Sequence, residues 1–200
     1  MNSGTKGIRI GFALTGSFCT LDSAVEQMEI LRAEGNIILP VISFNVRDTD
    51  SRFGTAAYWR KRIAEAADTD EIIDSITAAE PIGPKDKCDI MLIAPCTGNT
   101  MAKMANGVVD TPVLMAAKSH LRNGRPLVIA VATNDGLSGN AKSLGTLMNY
   151  RHMFFVPFCQ DNPGGKPNSL IADMSRIPQT IKAAMEHRQI PPILACKTGI

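Results

Sequence analysis

Short apolar runs alternate with amphipathic segments along almost the whole sequence. Five runs of four to eight residues are nearly free of charged side chains, which is typical of strands buried on both faces. Because each run is followed by polar or turn-forming residues, each has a defined end. The predicted strands are residues 7–14, 37–44, 89–94, 127–132 and 154–157.

The segments between these runs have helical periodicity. After the first run, Leu21, Ala24, Val25 and Met28 share one helix face, and Gly35 is suited to end that helix. Further helices are predicted over residues 56–67, 69–79 (with Thr69 as N-cap), 99–107 (with Val108 at core spacing), 113–121, 142–150 and 177–187. Residues 45–54 and 160–167 are predicted loops.

This order of strands and helices predicts a three-layer α/β fold. The fold would be Rossmann-like and flavodoxin-like, with a parallel sheet covered by helices on both faces. The 200 residues fit one domain spanning residues 1–200. Right-handed crossovers would bring the carboxyl ends of the strands to one edge of the sheet, where such folds bind their ligands.

Composition and charge exclude several classes of function. The net charge is +2, from 21 basic and 19 acidic residues without a basic stripe, which argues against a nucleic-acid partner. No apolar stretch is long enough to span a membrane, and residues 1–6 lack a signal-peptide core, so a cytoplasmic location is expected. The five cysteines and three histidines have no metal-ligand spacing, which predicts neither a metal site nor a disulfide framework.

The loops after the first two predicted strands offer polar groups at the ligand-binding edge. Gly16, Ser17 and Phe18 combine close backbone approach, a hydroxyl and the free N–H groups of a following helix, which suits a phosphate or the edge of a flavin. Ser43 follows the second strand and could bond a phosphate oxygen. An ordinary strand-to-helix turn explains Gly16, Ser17 and Phe18 equally well, and for Ser43 alone a loop-capping role is favoured.

The loop after the third predicted strand is the most specific feature of the sequence. Pro95 is predicted to end the strand, while Thr97, Asn99 and Thr100 place donors around a helix N-terminus. Such a loop can hold an anion or a flat polar heterocycle. Cys96 stands beside the same helix N-terminus, a position that lowers a thiol pKa, but it has no His neighbour in sequence. A packing role for Cys96 is therefore favoured.

The loop after the fourth predicted strand contains the candidate catalytic residue. The Asn134 side chain has both a donor and an acceptor, which suits a substrate carboxylate or a flavin ring. Lys103 and Lys142 could add positive charge, although such lysines are more often surface residues. Asn134 and Asp135 before Gly136 would also form a plain turn.

Two of these loops resemble a known family. The segment 94–100, with Ala102-Lys103 and Asn106-Gly107 after it, resembles the flavin-binding cysteine-decarboxylase family, and Gly16-Ser17 resembles its first FMN-contacting loop. The resemblance implies an FMN along the carboxyl ends of the strands and a homo-oligomer with the flavin at the interface of two copies. The residues implied to line the FMN are Gly16, Ser17, Phe18, Ser43, Pro95, Cys96, Thr97, Asn99, Thr100 and Asn134.

Two departures from that family concern its chemistry. The decarboxylases carry a catalytic His just before the third strand, whereas residues 80–89 contain no His. Their later Pro-Ala-Met-Asn motif corresponds here to Val131-Ala132-Thr133-Asn134, which keeps the Asn but not the Met. Both departures argue against decarboxylation of a cysteine-containing substrate.

Later segments resemble a particular branch of flavin-fold proteins. Residues 133–138, 160–163 and 166–170 resemble the B subunits of two-component enzymes that oxidise a dihydropyridine dicarboxylate in sporulating bacteria. This resemblance implies a small dicarboxylate substrate, the mother-cell cytoplasm, and a separate A subunit through which NADP would act. The chain itself has no Gly-x-Gly-x-x-Gly fingerprint. An FMN-binding oxidoreductase subunit and a non-catalytic partner without flavin both remain open, with a cysteine decarboxylase third.

Overall fold

The structure, a computed structural model, describes residues 7–195 and contains a seven-stranded sheet with helices on both sides. The polar segment 1–6 and Cys196 lie outside the described residues. The strands are β1 (Arg9–Leu14), β2 (Ile37–Ile42), β3 (Ile90–Cys96), β4 (Leu127–Thr133), β5 (Met153–Phe155), β6 (Phe158–Cys159) and β7 (Leu170–Ala172).

The helices occupy the intervals between the strands, as the periodicity predicts. They are α1 (Leu21–Ala33), α2 (Phe44–Asp48), α3 (Ala56–Ala67), α4 (Ile76–Ala79), α5 (Gly98–Ala105), α6 (Pro112–Leu121), α7 (Ala141–Met148) and α8 (Ile177–Met185). A turn of 3-10 helix over Phe18–Thr20 leads into α1. None of the helices in residues 7–195 combines the length and apolar character needed to cross a membrane.

The parallel strands are paired in the order β2-β1-β3-β4-β5, which is the flavodoxin-like order. Every residue of β3 is buried, because this strand is covered by helices on both faces. The chain runs from β1 outward to β2 and then returns to the other side of β1 as β3. The carboxyl ends of β1 and β3 therefore form the topological switch point, where ligands bind in this class of sheet. The predicted three-layer α/β fold is confirmed.

The sheet is mixed, whereas the sequence predicted a parallel one. β7 pairs antiparallel with the carboxyl half of β4, with Leu170 opposite Thr133 and Ile171 opposite Ala132. β6 then pairs antiparallel with β7. These strands have two and three residues, which is too short for an apolar period to be recognised in the sequence.

Four local predictions were wrong. The predicted helix 69–79 shrinks to Ile76–Ala79, because Ile73 instead bonds β2 through both its N–H (to Pro40, 2.9 Å) and its C=O (from Ile42, 2.8 Å). The predicted loop 45–54 begins inside the short helix α2. Val108, placed in the core, has 42% of its surface exposed. Pro95 does not end β3: the pairing with β4 shifts register between Ile93 and Cys96, which lets the strand pass through a residue without an N–H.

A buried Cys–His pair lies at the amino edge of the sheet, away from the loops that follow the strands. The Cys88 Sγ is 3.4 Å from His120 Nδ1, and His120 Nε2 is 3.0 Å from the carbonyl oxygen of Pro126. Burial raises the pKa of Cys88 to about 12 and lowers the pKa of His120 to about 4. Both groups are therefore neutral at pH 7, so this pair has a packing role rather than a nucleophilic one.

This pair makes the stability of the protein depend on pH. His120 is protonated below about pH 6.5 in the unfolded chain but only below about pH 4 in the folded chain. Between these values the unfolded state binds more protons, so the free energy of unfolding falls as pH falls. We expect a loss of about 2 kcal/mol from this residue between about pH 7 and pH 4.5. Urea unfolding of wild type and of His120→Gln over this range checks it: the variant is expected to lose less stability over the same interval. Parallel curves would contradict this assignment.

Candidate functional site

The loops after β1 and β3 are joined across the switch point by Thr15. The Thr15 hydroxyl donates to the carbonyl oxygen of Pro95 at 2.7 Å and accepts from the Thr97 N–H at 3.0 Å. The Thr15 N–H also donates to the Pro95 carbonyl at 3.3 Å. Thr15 was not predicted as a site residue, although it is the first polar side chain after an apolar run. Its buried hydroxyl fixes the distance between the two loops.

The first turn of α5 is closed by its own threonines. Thr97 is the N-cap and accepts from the Thr100 N–H at 3.3 Å, while the two hydroxyl oxygens are 3.0 Å apart. Such a cap satisfies one of the free donors of the helix N-terminus. Asn99 is exposed, and its side chain has no hydrogen-bond partner among residues 7–195. Of the three polar side chains predicted in this loop, Asn99 alone is therefore fully available to a ligand.

The loop after β4 packs directly on that first turn of α5. A Cβ at Gly98 would lie 2.5 Å from both Asn140 Nδ2 and Thr133 Oγ1, and 2.8 Å from Asp135 Oδ1. The Asp135 carboxylate accepts hydrogen bonds from the Thr133 hydroxyl and from Asn140 Nδ2. A carboxylate at a helix N-terminus is electrostatically favourable. The sequence singled out this loop through Asn134 and the resemblance of residues 133–138, but Thr133, Asp135 and Asn140 were not predicted as site residues.

The loop after β1 leaves the Ser17 hydroxyl available. The Ser17 carbonyl accepts from the N–H and hydroxyl of Thr20, at 3.0 and 2.9 Å, but the Ser17 side chain has no hydrogen-bond partner in the described part of the chain. At Gly16 a Cβ would lie 3.0 Å from the Cβ of Asn45, so glycine lets this turn close on the loop after β2. Phe18 is half-buried and packs against the core.

Ser43 serves the local structure. It is buried and caps α2, with its oxygen 3.5 Å from the Val46 N–H, and its own N–H donates to the Leu14 carbonyl at 3.0 Å. The side chain thus supports the loop after β2 from inside.

A small cavity of about 30 Å³ lies between the loops after β1 and β4. The segment that precedes β7 covers it, and this segment carries an ion pair of 3.0 Å between Lys166 and Asp161. The Asn134 side chain is exposed and has no hydrogen-bond partner within residues 7–195. The polar residues lining the cavity include Ser17, Thr133, Asn134, Asp161, Lys166 and Ser169. Antiparallel β7 brings the last three to this edge, and apart from the resemblance no sequence pattern marked them as site residues.

Neither the Cys96 thiol nor the Lys103 ammonium is available to a ligand at this edge. Cys96 is completely buried, and burial raises the pKa of its thiol, so the expected lowering by the helix N-terminus is wrong. The Lys103 ammonium forms an ion pair with Asp110 at 2.7 Å, which leaves Lys142 as the exposed lysine at the start of α7. In the described residues there is no group of three or more His, Cys, Asp or Glu arranged to hold a metal.

The polar groups at this edge fit the outer parts of a flavin mononucleotide. Ser17, Asn99 and Asn134 present a hydroxyl and two amides without internal partners, which suits a phosphate and the hydrogen-bonding edge of an isoalloxazine ring. The cavity of about 30 Å³ is much smaller than the roughly 300 Å³ or more of typical ligand sites. A flavin would therefore lie over the open edge of the sheet, where a second protein surface could cover it.

Comparisons with known proteins give matches in both sequence and fold. The sequence matches the Flavoprotein family over residues 2–183. It is 51% identical over 192 residues to the dipicolinate synthase B subunit of Bacillus subtilis (strain 168), covering 96% of each chain. The crystal structure of the dipicolinate synthase B subunit from Bacillus halodurans C matches with a TM-score of 0.88 at 44% identity, covering 97% of this chain and 99% of that one.

A more distant match shows the fold alone. The crystal structure of the FMN-dependent cysteine decarboxylase SpaF has a TM-score of 0.65 at 19% identity, covering 88% of this chain and 97% of that one. The resemblance drawn from residues 133–170 is confirmed by the B-subunit relatives, and the loops at residues 94–107 agree with the flavoprotein family as a whole. The chain belongs to the flavoprotein family.

Proposed function

We propose that this chain is the flavin-binding B subunit of a dipicolinate synthase. With an A subunit, it would oxidise dihydrodipicolinate to dipicolinate (pyridine-2,6-dicarboxylate) in the mother cell of a sporulating bacterium. The names of the B subunits from Bacillus subtilis and Bacillus halodurans support this reaction, and the family supports a flavin. The observation that carries the proposal is the meeting of four loops at the switch point, where Ser17, Asn99 and Asn134 keep free polar groups.

These three residues have distinct roles in the proposal. Ser17, before the 3-10 turn, would hold the FMN phosphate, while Asn99 and Asn134 would orient the flavin ring or a substrate carboxylate. The flavin would supply a two-electron acceptor for the hydrogens lost when the dihydropyridine ring becomes aromatic. The other residues implied to line the FMN would act through the backbone positions that they fix. They are Gly16, Phe18, Ser43, Pro95, Cys96, Thr97 and Thr100.

The chain offers little acid–base chemistry of its own. His120 is buried in α6, and His152 and His187 lie 3.4 Å apart, Nδ1 to Nδ1, beside the amino end of β5. No histidine of the described residues therefore stands at the proposed flavin edge. The A subunit would supply the missing groups and the NADP, and a homo-oligomer of this chain would cover the open edge.

Two other functions have less support. A non-catalytic partner without flavin is favoured by the small cavity and by the Asp135 carboxylate, which already occupies the N-terminus of α5. A cysteine decarboxylase is disfavoured because residues 80–89 contain no His.

Flavin binding is the direct test. We expect added FMN at saturation to raise the melting temperature by about 5 °C, and the complex to show flavin absorbance after gel filtration. Ser17→Asp is expected to abolish both effects, because its carboxylate would repel the phosphate. Thr77→Asp, which alters an exposed hydroxyl on α4, is the matched control and should bind FMN as the wild type does. Absence of any shift with the wild type would refute the flavin-binding role and leave the non-catalytic alternative.

A further inference from the structure

An apolar groove lies on the flank of the molecule where α5, α6 and α7 end. Its volume is about 550 Å³, and its floor includes the buried side chains of Leu114 and Met153. Its rim leaves large apolar side chains in solvent: Val108 is 42% exposed and Tyr150 is 45% exposed. We call this surface the α5–α7 groove; its apolar lining includes Met104, Val108, Leu114, Leu121, Tyr150 and Met153. Exposed apolar patches of this kind mark interaction sites.

The charges around the α5–α7 groove all have one sign. Lys118, Arg122 and Arg151 line it, and no acidic residue does. None of the three cations forms an ion pair within residues 7–195, although most other arginines of that range do. Lys118 and Arg122 are four residues apart along α6 and its C-cap, a spacing at which like charges repel. An anionic partner would relieve that repulsion.

The groove and the proposed flavin edge are separated by one short helix. α5 begins at the carboxyl edge of the sheet beside Thr97 and runs to Ala105, next to Met104 of the groove. Eight helical residues span ~12 Å. A protein held in the groove would therefore stand beside the open edge without filling it.

We infer that the α5–α7 groove binds an acidic amphipathic helix of the A subunit. Its apolar face would lie on Leu114, Met153 and Tyr150, and its carboxylates would meet Lys118, Arg122 and Arg151. Tyrosine, methionine and arginine are the residues enriched at protein interfaces. A second copy of this chain using the same surface would be related by a two-fold axis and would bring cations towards cations. The identity of the partner rests on the proposed function; the apolar and acidic character of the bound segment rests on the groove alone.

The test compares two triple variants with the same change in net charge. Lys118→Glu/Arg122→Glu/Arg151→Glu reverses the groove, and Arg52→Glu/Lys61→Glu/Lys85→Glu reverses exposed cations elsewhere. Titration calorimetry with purified A subunit is expected to show at least about a thirtyfold loss of affinity for the groove variant. The control variant should stay within about threefold of wild type. Val108→Asp, on a half-exposed position that folding does not need buried, is expected to lose at least about tenfold.

The outcomes separate this inference from the proposed function. If wild type, groove and control variants bind the A subunit equally, docking is elsewhere and the inference is wrong, while the partnership stands. If the wild type fails to bind the A subunit, both the docking and the partnership fail. Flavin absorbance of the groove variant serves as a second readout and should match wild type, since the groove lies away from Ser17. If sedimentation shows that the groove variant loses self-association instead, the occupant is a second copy.

Discussion

Dihydrodipicolinate incubated with this chain alone is expected to give dipicolinate at less than about one hundredth of the rate reached after the A subunit is added. The reason is the division of groups described above: free amides and a hydroxyl at the edge of the sheet, but no histidine there among the described residues and no dinucleotide fingerprint in the sequence. A positioned acid or base alone contributes about 10²-fold or more to a proton transfer. The ultraviolet absorbance of dipicolinate, followed with each subunit separately and together, measures the effect.

An Asn134 variant shows whether this residue takes part. Asn134→Ala is expected to lower the rate of the mixture at least about tenfold while leaving the affinity for the A subunit unchanged, because Asn134 is exposed at the proposed flavin edge and absent from the α5–α7 groove. Normal activation by Asn134→Ala would remove this residue from the site. Full activity from wild type alone would show that the division of labour is wrong.

Gly83→Ala is expected to destabilise the protein by about 3 kcal/mol or more. A Cβ at this position would overlap the carbonyl oxygen of Ser119 and lie 2.7 Å from its carbonyl carbon. The backbone cannot move aside easily, because the Gly83 N–H donates to the Ser119 hydroxyl at 2.9 Å and the Gly83 carbonyl accepts from Asn123 at 2.8 Å. The clash is with main-chain atoms of α6, so no side-chain rotation relieves it.

Chemical denaturation with Gly145→Ala as the control measures this effect. Gly145 lies inside α7, and a Cβ there meets no atom within 4 Å. This substitution is expected to raise stability by about 0.5 to 1 kcal/mol, since alanine favours a helix over glycine. If Gly83→Ala unfolds at the wild-type denaturant concentration, the contact between residue 83 and α6 has been misjudged.

Strong periodicity made most of the sheet and its helices predictable. The predicted runs 7–14 and 127–132 became the strands Arg9–Leu14 and Leu127–Thr133, and α3 begins and ends at the predicted residues 56 and 67. Long-range pairing decided the exceptions. Ile73 reads as helical from its neighbours but bonds the backbone of β2, and Leu170–Ala172 becomes a strand only because β4 offers a free edge at Thr133.

The candidate site was predictable as a place rather than as a set of contacts. The carboxyl ends of parallel strands must share an edge, so Ser17, Asn99 and Asn134 could be assigned to it from the sequence. The hydrogen bonds of Thr15 to Pro95 and Thr97, and the approach of Asp135 to Gly98, join residues that are distant in the chain. Secondary-structure propensity does not predict such long-range contacts. Cys96 lies beside a helix N-terminus, but burial in β3 raises the pKa of its thiol, in agreement with the packing role that the sequence favoured.

The antiparallel strand β7 also sets the order in which the protein is completed during synthesis. β4 and the loops after β1 and β3 precede residue 134, whereas the segment covering the small cavity spans residues 161–171. A ribosome translating at about 5 to 20 residues per second therefore completes β1 to β4 seconds before residues 161–171. These later residues add the last wall of the small cavity beside Ser17, while the Asn134 side chain stays exposed in the finished fold.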